Sequence, residues 1–346
     1  MPPSGSGSRT SSVGTASGGS TVPGWGSQSE PKPPCPPVEA GTGANLGRVA
    51  PQDARPRTAD GNAFVLPAVV FLLLFTVFPF LFTVALSFSR VSLVGGLQLS
   101  FVGLANWERL VSDARFWTSL ANTAALVAGA VSLEVVLGFG LALLVHTTPK
   151  GAGLFRVLFL IPMSLTPIAV GYMWRMLLNE TIGPLNALLR AVGLPPVGWV
   201  SAGLVPLFSM ILVDVWQWTP FVFVVCLAAL QALPDEVVEA AELDGASRGQ
   251  LLRYVVLPWM VPTLVAAGFL RAVEAFKIVD TIFIVTGGGP GTRTESLTLH
   301  AYYVGLHAFD LAYGATIALA LFLLVGGAAW AALGLTRRVR LREAWP

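Results

Sequence analysis

Long apolar runs with almost no charged residues are the feature that most constrains how this chain folds. A helix needs about 20 consecutive apolar residues to cross the hydrocarbon core of a bilayer. Six segments approach or exceed that length: Ala63–Leu86, Ala121–Val145, Val157–Trp174, Leu204–Leu230, Trp259–Val285 and Leu311–Leu335. Only 12% of the residues are charged, against about 25% in soluble domains. We therefore expect an all-α polytopic membrane protein with six transmembrane helices.

The first 58 residues differ in kind from the rest. They are rich in Gly, Ser, Pro and Thr and contain hardly any large apolar side chains. Such a composition buries too little apolar surface to offset the entropy lost on ordering. We predict a disordered Gly/Ser/Pro-rich tail over residues 1–58 and one six-helix membrane domain over residues 59–346.

The positions of lysine and arginine indicate the side of the membrane, because cytoplasmic connections carry an excess of these residues. They are concentrated in the tail, in the connections 146–156 and 231–258, and after the last apolar run. The last of these groups is a tight cluster of Arg337, Arg338, Arg340 and Arg342. We predict that both termini, the tail and the connection 233–258 lie in the cytoplasm.

The connection 233–258 has the pattern of two short helices joined by a sharp turn. Pro234 suits the first turn of a helix, and Gly245 supplies the left-handed residue at which a helix ends. Ser247 followed by Gln250 is the capping-box pattern that starts a second helix. This connection is therefore predicted to be a helix–turn–helix at the cytoplasmic surface.

The first helix of this connection is acidic, with alanines between the carboxylates. An amphipathic helix of this kind fits a groove on another protein. A helix that only lies at the bilayer interface usually carries basic residues on its polar face. The acidic face favours a protein partner, and a simple link between two spans is the alternative.

Three motifs in this connection resemble the EAA loop of ABC importer permeases: Glu239-Ala240-Ala241, Asp244-Gly245-Ala246-Ser247 and Leu257-Pro258. Three further stretches are similar to the carbohydrate branch of that family, the maltose and glycerol-phosphate type. They are FVGLANWERL (101–110), DVWQWTPFVFVVCLAALQALP (214–234) and TGGGPGTRTESLTLHAYY (286–303). The resemblance covers about residues 60–340. The long tail departs from the short N-terminus expected in that branch.

The resemblance implies a type I ABC importer permease-like fold in the cytoplasmic (inner) membrane that translocates a mono- or oligosaccharide. It implies that the coupling loop 233–258 docks on a separate ABC ATPase dimer. The residues it assigns to that contact are Glu239, Ala240, Ala241, Asp244, Gly245, Leu257 and Pro258. ATP and Mg would bind the ATPase, so no cofactor is expected on this chain.

The resemblance also implies further partners. These are a second homologous permease subunit, the lipid bilayer, and an extracytoplasmic solute-binding protein that docks on the sides formed by residues 90–120 and 286–310. The net charge of +2 gives no reason to expect a nucleic acid.

The sequence shows no site for ATP hydrolysis. A phosphate-binding loop needs G-x-x-x-x-G-K-[ST], and none of the three lysines, Lys32, Lys150 and Lys277, completes that motif. The histidines and cysteines have no metal-ligand spacing, and no catalytic constellation is visible. We expect a non-enzymatic subunit. We also expect His300 and His307 to be solvated, because they lie on a polar connection.

Aromatic and amide side chains in the fourth apolar run suit a sugar site. Sugars bind through ring faces against aromatic rings and through hydroxyls to amides, which points to Gln217, Trp218 and Phe221. In the maltose-type permease that the chain resembles, this region and the fifth span contribute to solute contact. Aromatic packing or an interfacial belt is the alternative.

Ionisable residues inside a span mark either a pathway or a pairing. Glu274, Lys277 and Asp280 in the fifth run are therefore candidates for the lining of the pathway. The alternative is a self-neutralising ladder with Arg271 along one helix face. We expect the single carboxylates Glu134 and Asp214 to make hydrogen bonds between helices.

Other functions stay open at this point. The solute of the same type of importer could be glycerol 3-phosphate or a polyol, although the outer face has no dense basic cluster for an anion. A secondary transporter that works alone would use inverted repeats and an ion relay, and no convincing repeat is visible. A membrane scaffold without a pathway is a third class.

Overall fold

The computed structural model describes residues 60–92, 96, 98–147 and 152–343. These residues are helical almost throughout, with one short hairpin among them, so the expected all-α membrane fold is confirmed. The predicted tail over residues 1–58 lies outside the described residues.

The first span is one apolar rod. It consists of α1 (Asp60–Leu72), a π-helical turn (Leu73–Val77) and α2 (Phe78–Ser87). From Val65 to Leu86 no residue is buried, whereas Ser87 at the end of the span is. Its side chains are thus available to lipid or to another subunit.

A small polar structure follows this span. Strands β1 (Ser89–Ser92) and β2 (Gln98–Phe101) pair antiparallel, and α3 (Ala105–Ser112) follows them. The Asn106 amide joins α3 to the end of α2 and to β1, since it donates to the carbonyls of Ser87 at 3.1 Å and Ser89 at 2.8 Å. We call this end of the helix bundle the hairpin end.

Two long helices form the centre of the bundle. They are α4 (Ala114–Thr147) and α8 (Val205–Gln231), which pack against each other in parallel along much of their length. The face of α4 that meets α8 is marked by Ala130, Gly138 and Ala142, all buried. Small residues at this spacing allow helices in a membrane to approach closely.

The third predicted span is not a continuous helix. It is broken into α5 (Ala152–Ser164) and α6 (Pro167–Leu177), which meet at 99°. A residue before proline is driven out of the helical region, and Thr166 is extended with φ −66° and ψ 141°. A short helix, α7 (Pro184–Ala191), follows on the way to α8.

The fifth predicted span, Trp259–Val285, is wrong at both ends. The connection before it contains α9 (Asp235–Leu243), and the spanning helix then begins with α10 (Arg248–Leu251), continues through a π-helical turn (Leu252–Val256) and ends with α11 (Leu257–Ala275). Residues 276–279 interrupt it, and α12 (Asp280–Val285) is a separate helix. Lys277 and Asp280 therefore lie beyond the span, whereas Arg271 and Glu274 lie within it.

The last part of the chain contains α13 (Leu297–Tyr302), a π-helical turn (Tyr303–His307) and α14 (Leu311–Glu343). Among the described residues, five helices are long and apolar enough to cross a membrane, and the bent pair α5–α6 makes a sixth if it counts as one span.

Candidate functional site

The connection between α8 and α10 forms the predicted helix and turn. Helix α9 follows Pro234 and is closed by Gly245, which has φ +80°. The amide of Gly245 donates to the Glu242 carbonyl and that of Ala246 to the Ala241 carbonyl, both at 3.0 Å. This pair of bonds is a Schellman motif, which needs a left-handed residue in the place of Gly245.

The second helix starts as predicted and then continues into the membrane. Ser247 and Gln250 form a capping box, in which the Gln250 side chain accepts from the Ser247 amide at 2.8 Å. Because α10, the π-helical turn and α11 are continuous, this helix is rigidly joined to the fifth span. We call the end of the bundle that carries α9 the loop end.

Helix α9 has no buried residue. Glu239, Ala240, Asp244 and Gly245 are exposed, and Ala241 is half-buried. Leu243 is 88% exposed although it is apolar. Leu257 and Pro258 lie at the first positions of α11 and are exposed as well. The loop end therefore presents a helix whose apolar and acidic side chains this chain leaves open to a partner.

A buried ion cluster joins three helices in the middle of the bundle. Arg271 of α11 donates from Nε and Nη2 to the two oxygens of Glu134 on α4, at 2.7 and 2.9 Å. The same Nη2 donates to Asp214 of α8 at 2.6 Å. Their side chains are at most 4% exposed.

This cluster has a clear energetic consequence. Removal of one partner from a buried ion pair costs about 3–5 kcal/mol, because it leaves a charge without compensation.

The bonds of the cluster decide two expectations from the sequence. The expectation that Glu134 and Asp214 bond between helices is confirmed. Arg271 pairs with these two carboxylates and not, as in the alternative ladder, with its neighbours on the same helix face. The Glu274–Lys277 pair does form, at 2.9 Å, and it is exposed.

A cavity of about 250 Å³ adjoins the cluster. Its wall contains Pro167 at the break of the third span, side chains of α8 and α11, and the interrupted segment that follows α11. Five of the six predicted pathway residues meet there: Gln217, Trp218, Glu274, Lys277 and Asp280.

Phe221 does not line this cavity. It packs instead on an apolar cluster nearer the loop end that contains Phe223 and Val222. Gln217 lies at the cavity wall and faces the break in the third span, where its Nε2 is 3.5 Å from the Leu165 carbonyl. Trp218 is half-buried, and the Cζ of Arg271 lies 5.0 Å from the centre of its ring.

The formal charges around the cavity disfavour an anion. Asp214, Glu274 and Asp280 line it together with Arg271 and Lys277. Arg271 is bound to two carboxylates and Lys277 to one. Neither cation is therefore left uncompensated to receive an anion.

The two segments predicted to meet a binding protein come together at the hairpin end. Arg109 pairs with Asp310 at 2.7 Å, and Arg115 binds both oxygens of Glu295 at 2.9 and 2.7 Å. The Asn122 amide donates to the Thr292 carbonyl at 2.7 Å. These contacts join the chain around residues 109–122 to residues 292–310 in one surface.

His300 is not solvated, contrary to the expectation. It is 1% exposed, and its Nδ1 and Nε2 lie 2.9 Å from Glu295 and 3.6 Å from Asp113. Neither nitrogen makes a hydrogen bond to any residue that the structure describes. His307, the last residue of the π-helical turn, is exposed, as expected.

Both carboxylates beside His300 favour their charged form. Burial alone would raise the pKa of Glu295, but His300 and the Arg115 guanidinium outweigh it and lower that pKa. For Asp113, burial is likewise outweighed, by hydrogen bonds from the Tyr313 hydroxyl and from backbone amides, so the pKa of Asp113 is lowered. The hairpin end thus carries ionised acids near neutral pH.

Arg271 is the residue that sequence reasoning undervalues. Its spacing assigns it only to a helix ladder, whereas the structure places it between two helices and the cavity. The signal is present in the sequence, because Glu134, Asp214 and Arg271 are costly charges within apolar runs and must find partners inside the bundle.

The architecture defines a class of protein. It is a polytopic helical membrane protein with a polar cavity between two spans, and the loop that joins those same two spans presents an exposed helix. These are the features of a transport permease.

The chain belongs to the family of binding-protein-dependent transport system inner membrane components. The model of that family matches residues 134–341. It is 40% identical to a probable ABC transporter permease protein of Sinorhizobium fredii, over 72% of this chain and 80% of that protein. It is 35% identical to the trehalose/maltose transport system permease protein of Thermococcus litoralis, over 77% of this chain and 89% of that protein.

The fold is also that of a solved structure. The crystal structure of a bacterial ABC transporter involved in the import of the acidic polysaccharide alginate matches with a TM-score of 0.72 at 20% identity. The match covers 80% of this chain and 95% of that chain. The expected permease-like fold is thereby confirmed.

Proposed function

We propose that this chain is the membrane-spanning permease subunit of an ATP-driven importer and that its cargo is a sugar. The proposal depends on one observation above all: the cavity that holds Trp218 and Gln217 lies between α8 and α11, and α9 connects these two helices. A movement of α9 therefore acts directly on both walls of the cavity.

The chemistry of the cavity supports a sugar. Trp218 offers an aromatic face for a sugar ring, and Gln217 offers an amide for hydroxyls. The relative from Thermococcus litoralis carries a name that refers to trehalose and maltose. The acids that line the cavity disfavour glycerol 3-phosphate, because its phosphate would meet Glu274 and Asp280. A polyol shares the hydroxyl chemistry and is the alternative cargo.

Coupling to ATP is assigned to the loop end. Glu239, Ala240, Ala241, Asp244 and Gly245 would contact a separate ABC ATPase dimer through α9 and its turn. Leu257 and Pro258 would support that contact from the start of α11. ATP and Mg bind the ATPase in this proposal, and the chain itself performs no reaction.

The remaining assignments complete the complex. A second homologous permease would cover the exposed apolar spans, and a solute-binding protein would dock on the hairpin end. Both termini lie in the cytoplasm, and the hairpin end faces the opposite side of the inner membrane. Membership of a binding-protein-dependent family stands against a carrier that works alone and against a scaffold without a pathway.

Purification of the tagged chain from native membranes in mild detergent tests this function. We expect an ATPase subunit and a second permease to copurify with the wild-type chain. The variant Gly245→Val should lose the ATPase, because a β-branched residue at φ +80° costs more than the roughly 1–2 kcal/mol of an ordinary left-handed residue.

Gly249→Val is the matched control. Gly249 lies four residues away in α10 and is exposed, with no atom within 4 Å of the position that a Cβ would take and without a positive φ. We expect this variant to retain the ATPase. Equal loss in both variants would mean that side-chain bulk, not turn geometry, disturbs the contact. A wild-type chain that purifies alone would contradict the proposed function.

A further inference from the structure

The indole of Trp218 lies beside a cation. The Arg271 guanidinium carbon lies 5.0 Å from the centre of the ring. A cation within about 6 Å of an aromatic face is attracted by the quadrupole of the ring. Both side chains line the cavity, so this contact acts on the wall that cargo would meet.

Arg271 is in turn bound by carboxylates of two other helices. Glu134 binds its Nε and Nη2, and Asp214 binds its Nη2. Asp214 and Trp218 are four residues apart on α8 and therefore share one face of that helix. Arg271 thus contacts α8 at two successive turns, once through a carboxylate and once through an aromatic ring.

The backbone of α11 is shaped for this placement. Gly268 lies one turn before Arg271 and faces α4, where an added Cβ would lie 3.3 Å from Val135. The absence of a side chain at Gly268 allows α11 to approach α4 closely, which brings Arg271 within reach of Glu134. An arginine suits this place because its planar fork can bind a carboxylate in bidentate fashion and also lie against an aromatic ring, whereas lysine is a point charge.

Arg271 does not itself bind cargo in this arrangement. Its side chain is 3% exposed, and two of its nitrogens already donate to carboxylates. We propose that Arg271 is a positioning residue: fixed by Glu134 and Asp214, its guanidinium holds the Trp218 indole in the orientation that receives a sugar ring. This inference rests on the proposed function, because it takes Trp218 to be a contact of the cargo.

A binding experiment on the complete importer tests this role. The variant Glu134→Gln/Asp214→Asn/Arg271→Met, called here the neutral-cluster variant, removes the charges together and leaves none unpaired. The complex is purified in detergent without its soluble binding protein, and the dissociation constants of radiolabelled trehalose and maltose are measured. We expect the neutral-cluster variant to bind the sugar roughly five- to thirtyfold more weakly than wild type.

The decisive comparison is with Trp218→Ala, alone and combined with the neutral-cluster variant. If Arg271 acts through Trp218, the combined variant binds within about twofold of Trp218→Ala alone, because the two changes remove the same interaction. Trp216→Ala is the matched control, since that indole packs on Trp174 at 5.7 Å and does not line the cavity. In the Trp216→Ala background the neutral-cluster loss should persist in full.

Two results would overturn the inference: sugar binding unchanged in the neutral-cluster variant, or losses that multiply in the combined variant. Should the neutral-cluster variant fail to assemble, Arg271→Lys replaces it in the same comparison. Lysine keeps the buried positive charge but lacks the planar fork that binds Glu134 and Asp214 beside the Trp218 ring, so weaker sugar binding is again expected, and Trp218→Ala should again remove the difference. A wild-type complex that lacks an ATPase refutes the proposed function instead, and the inference with it. A wild-type complex that contains the ATPase but binds neither sugar refutes trehalose and maltose as cargo, and with them the inference that Trp218 is positioned for these sugars, while the importer function stands. Wild-type binding with multiplied losses refutes the inference alone.

Discussion

Replacement of Gly138 by alanine tests whether α4 and α8 must touch for the ion cluster to form. A Cβ at Gly138 would lie 2.7 Å from Val222 Cβ, 2.8 Å from its Cγ1 and 3.0 Å from the backbone nitrogen of Phe223. Contacts below 3.0 Å do not occur between real atoms of this kind, and ordinary contact begins at 3.4 Å. Since one of the atoms belongs to the backbone, α8 itself has to move.

The size of the effect follows from this overlap. Overpacking of a tight interface by one methyl group costs about 1–3 kcal/mol. For a chain of 346 residues, with an unfolding entropy of about 2.1 cal/mol/K per residue, that corresponds to a fall in melting temperature of about 1–4 °C. Glu134 lies one turn from Gly138 on the same buried face of α4. The displacement should therefore also disturb its bonds to Arg271, and sugar-stimulated ATPase activity should fall.

Gly140→Ala is the control for this prediction. Gly140 is two residues further along α4, is exposed, and has no atom within 4 Å of a Cβ placed on it. Alanine favours a helix over glycine by up to about 1 kcal/mol, so this variant should be neutral or slightly more stable. The assay is thermal unfolding of the purified complex in detergent, together with its ATPase activity. Equal melting temperatures and activities for the two variants would refute the reasoning.

Substitutions at two ion pairs test the remaining contacts. Glu295→Gln should lower stability at neutral pH by up to about 3 kcal/mol, because it replaces the carboxylate that binds Arg115 through both oxygens with a neutral amide. Because the pKa of Glu295 is lowered in the folded protein, the contribution is complete above its ordinary value of 4.5 and is lost as the pH falls below it. The melting temperatures of wild type and variant should therefore converge on acidification, and a gap that widens would contradict the assignment. Lys277→Met should change stability by less than about 1 kcal/mol, since its pair with Glu274 is exposed; a measured loss of sugar binding in this variant then reports on the cavity and not on folding.

The length of the apolar runs predicts most of the spans because the thickness of the hydrocarbon core sets that length. This rule fails for the third span, which is not one continuous helix. A proline in an apolar run can be absorbed as a kink or can end the helix, and the choice depends on the neighbours. Here Thr166 is extended before Pro167, and α6 starts a new direction at 99° to α5.

Local sequence is more informative at the loop end than in the cavity. The turn at Gly245 and the capping box at Ser247 depend on residues within a few positions of one another, so the sequence alone predicts them. The partners of Arg271 lie 137 and 57 positions away. The spacing of Arg271, Glu274 and Lys277 suggests a ladder of ion pairs along one helix. Only the three-dimensional packing shows that Arg271 instead pairs with residues of other helices.

His300 shows the same limit at the hairpin end. A histidine in a polar connection is ordinarily solvated, and nothing in its immediate sequence indicates otherwise. It is buried because the connection folds back on α4, where Arg115 binds Glu295 and Thr123 accepts the amide of Leu297 at 2.9 Å.

The positions of the isolated charges nevertheless contain information that a simple rule recovers. A solitary charge inside an apolar span costs several kcal/mol unless it meets an opposite charge or a polar cavity. Glu134 and Asp214 are each alone in their runs, and Arg271 lies deepest among the charges of the fifth run. Two acids in separate spans and one deeply placed arginine satisfy that demand together when all three share a site, which makes α4, α8 and α11 mutual neighbours. The small residues of α4 permit this approach, and the cavity adjoins the cluster between α8 and α11.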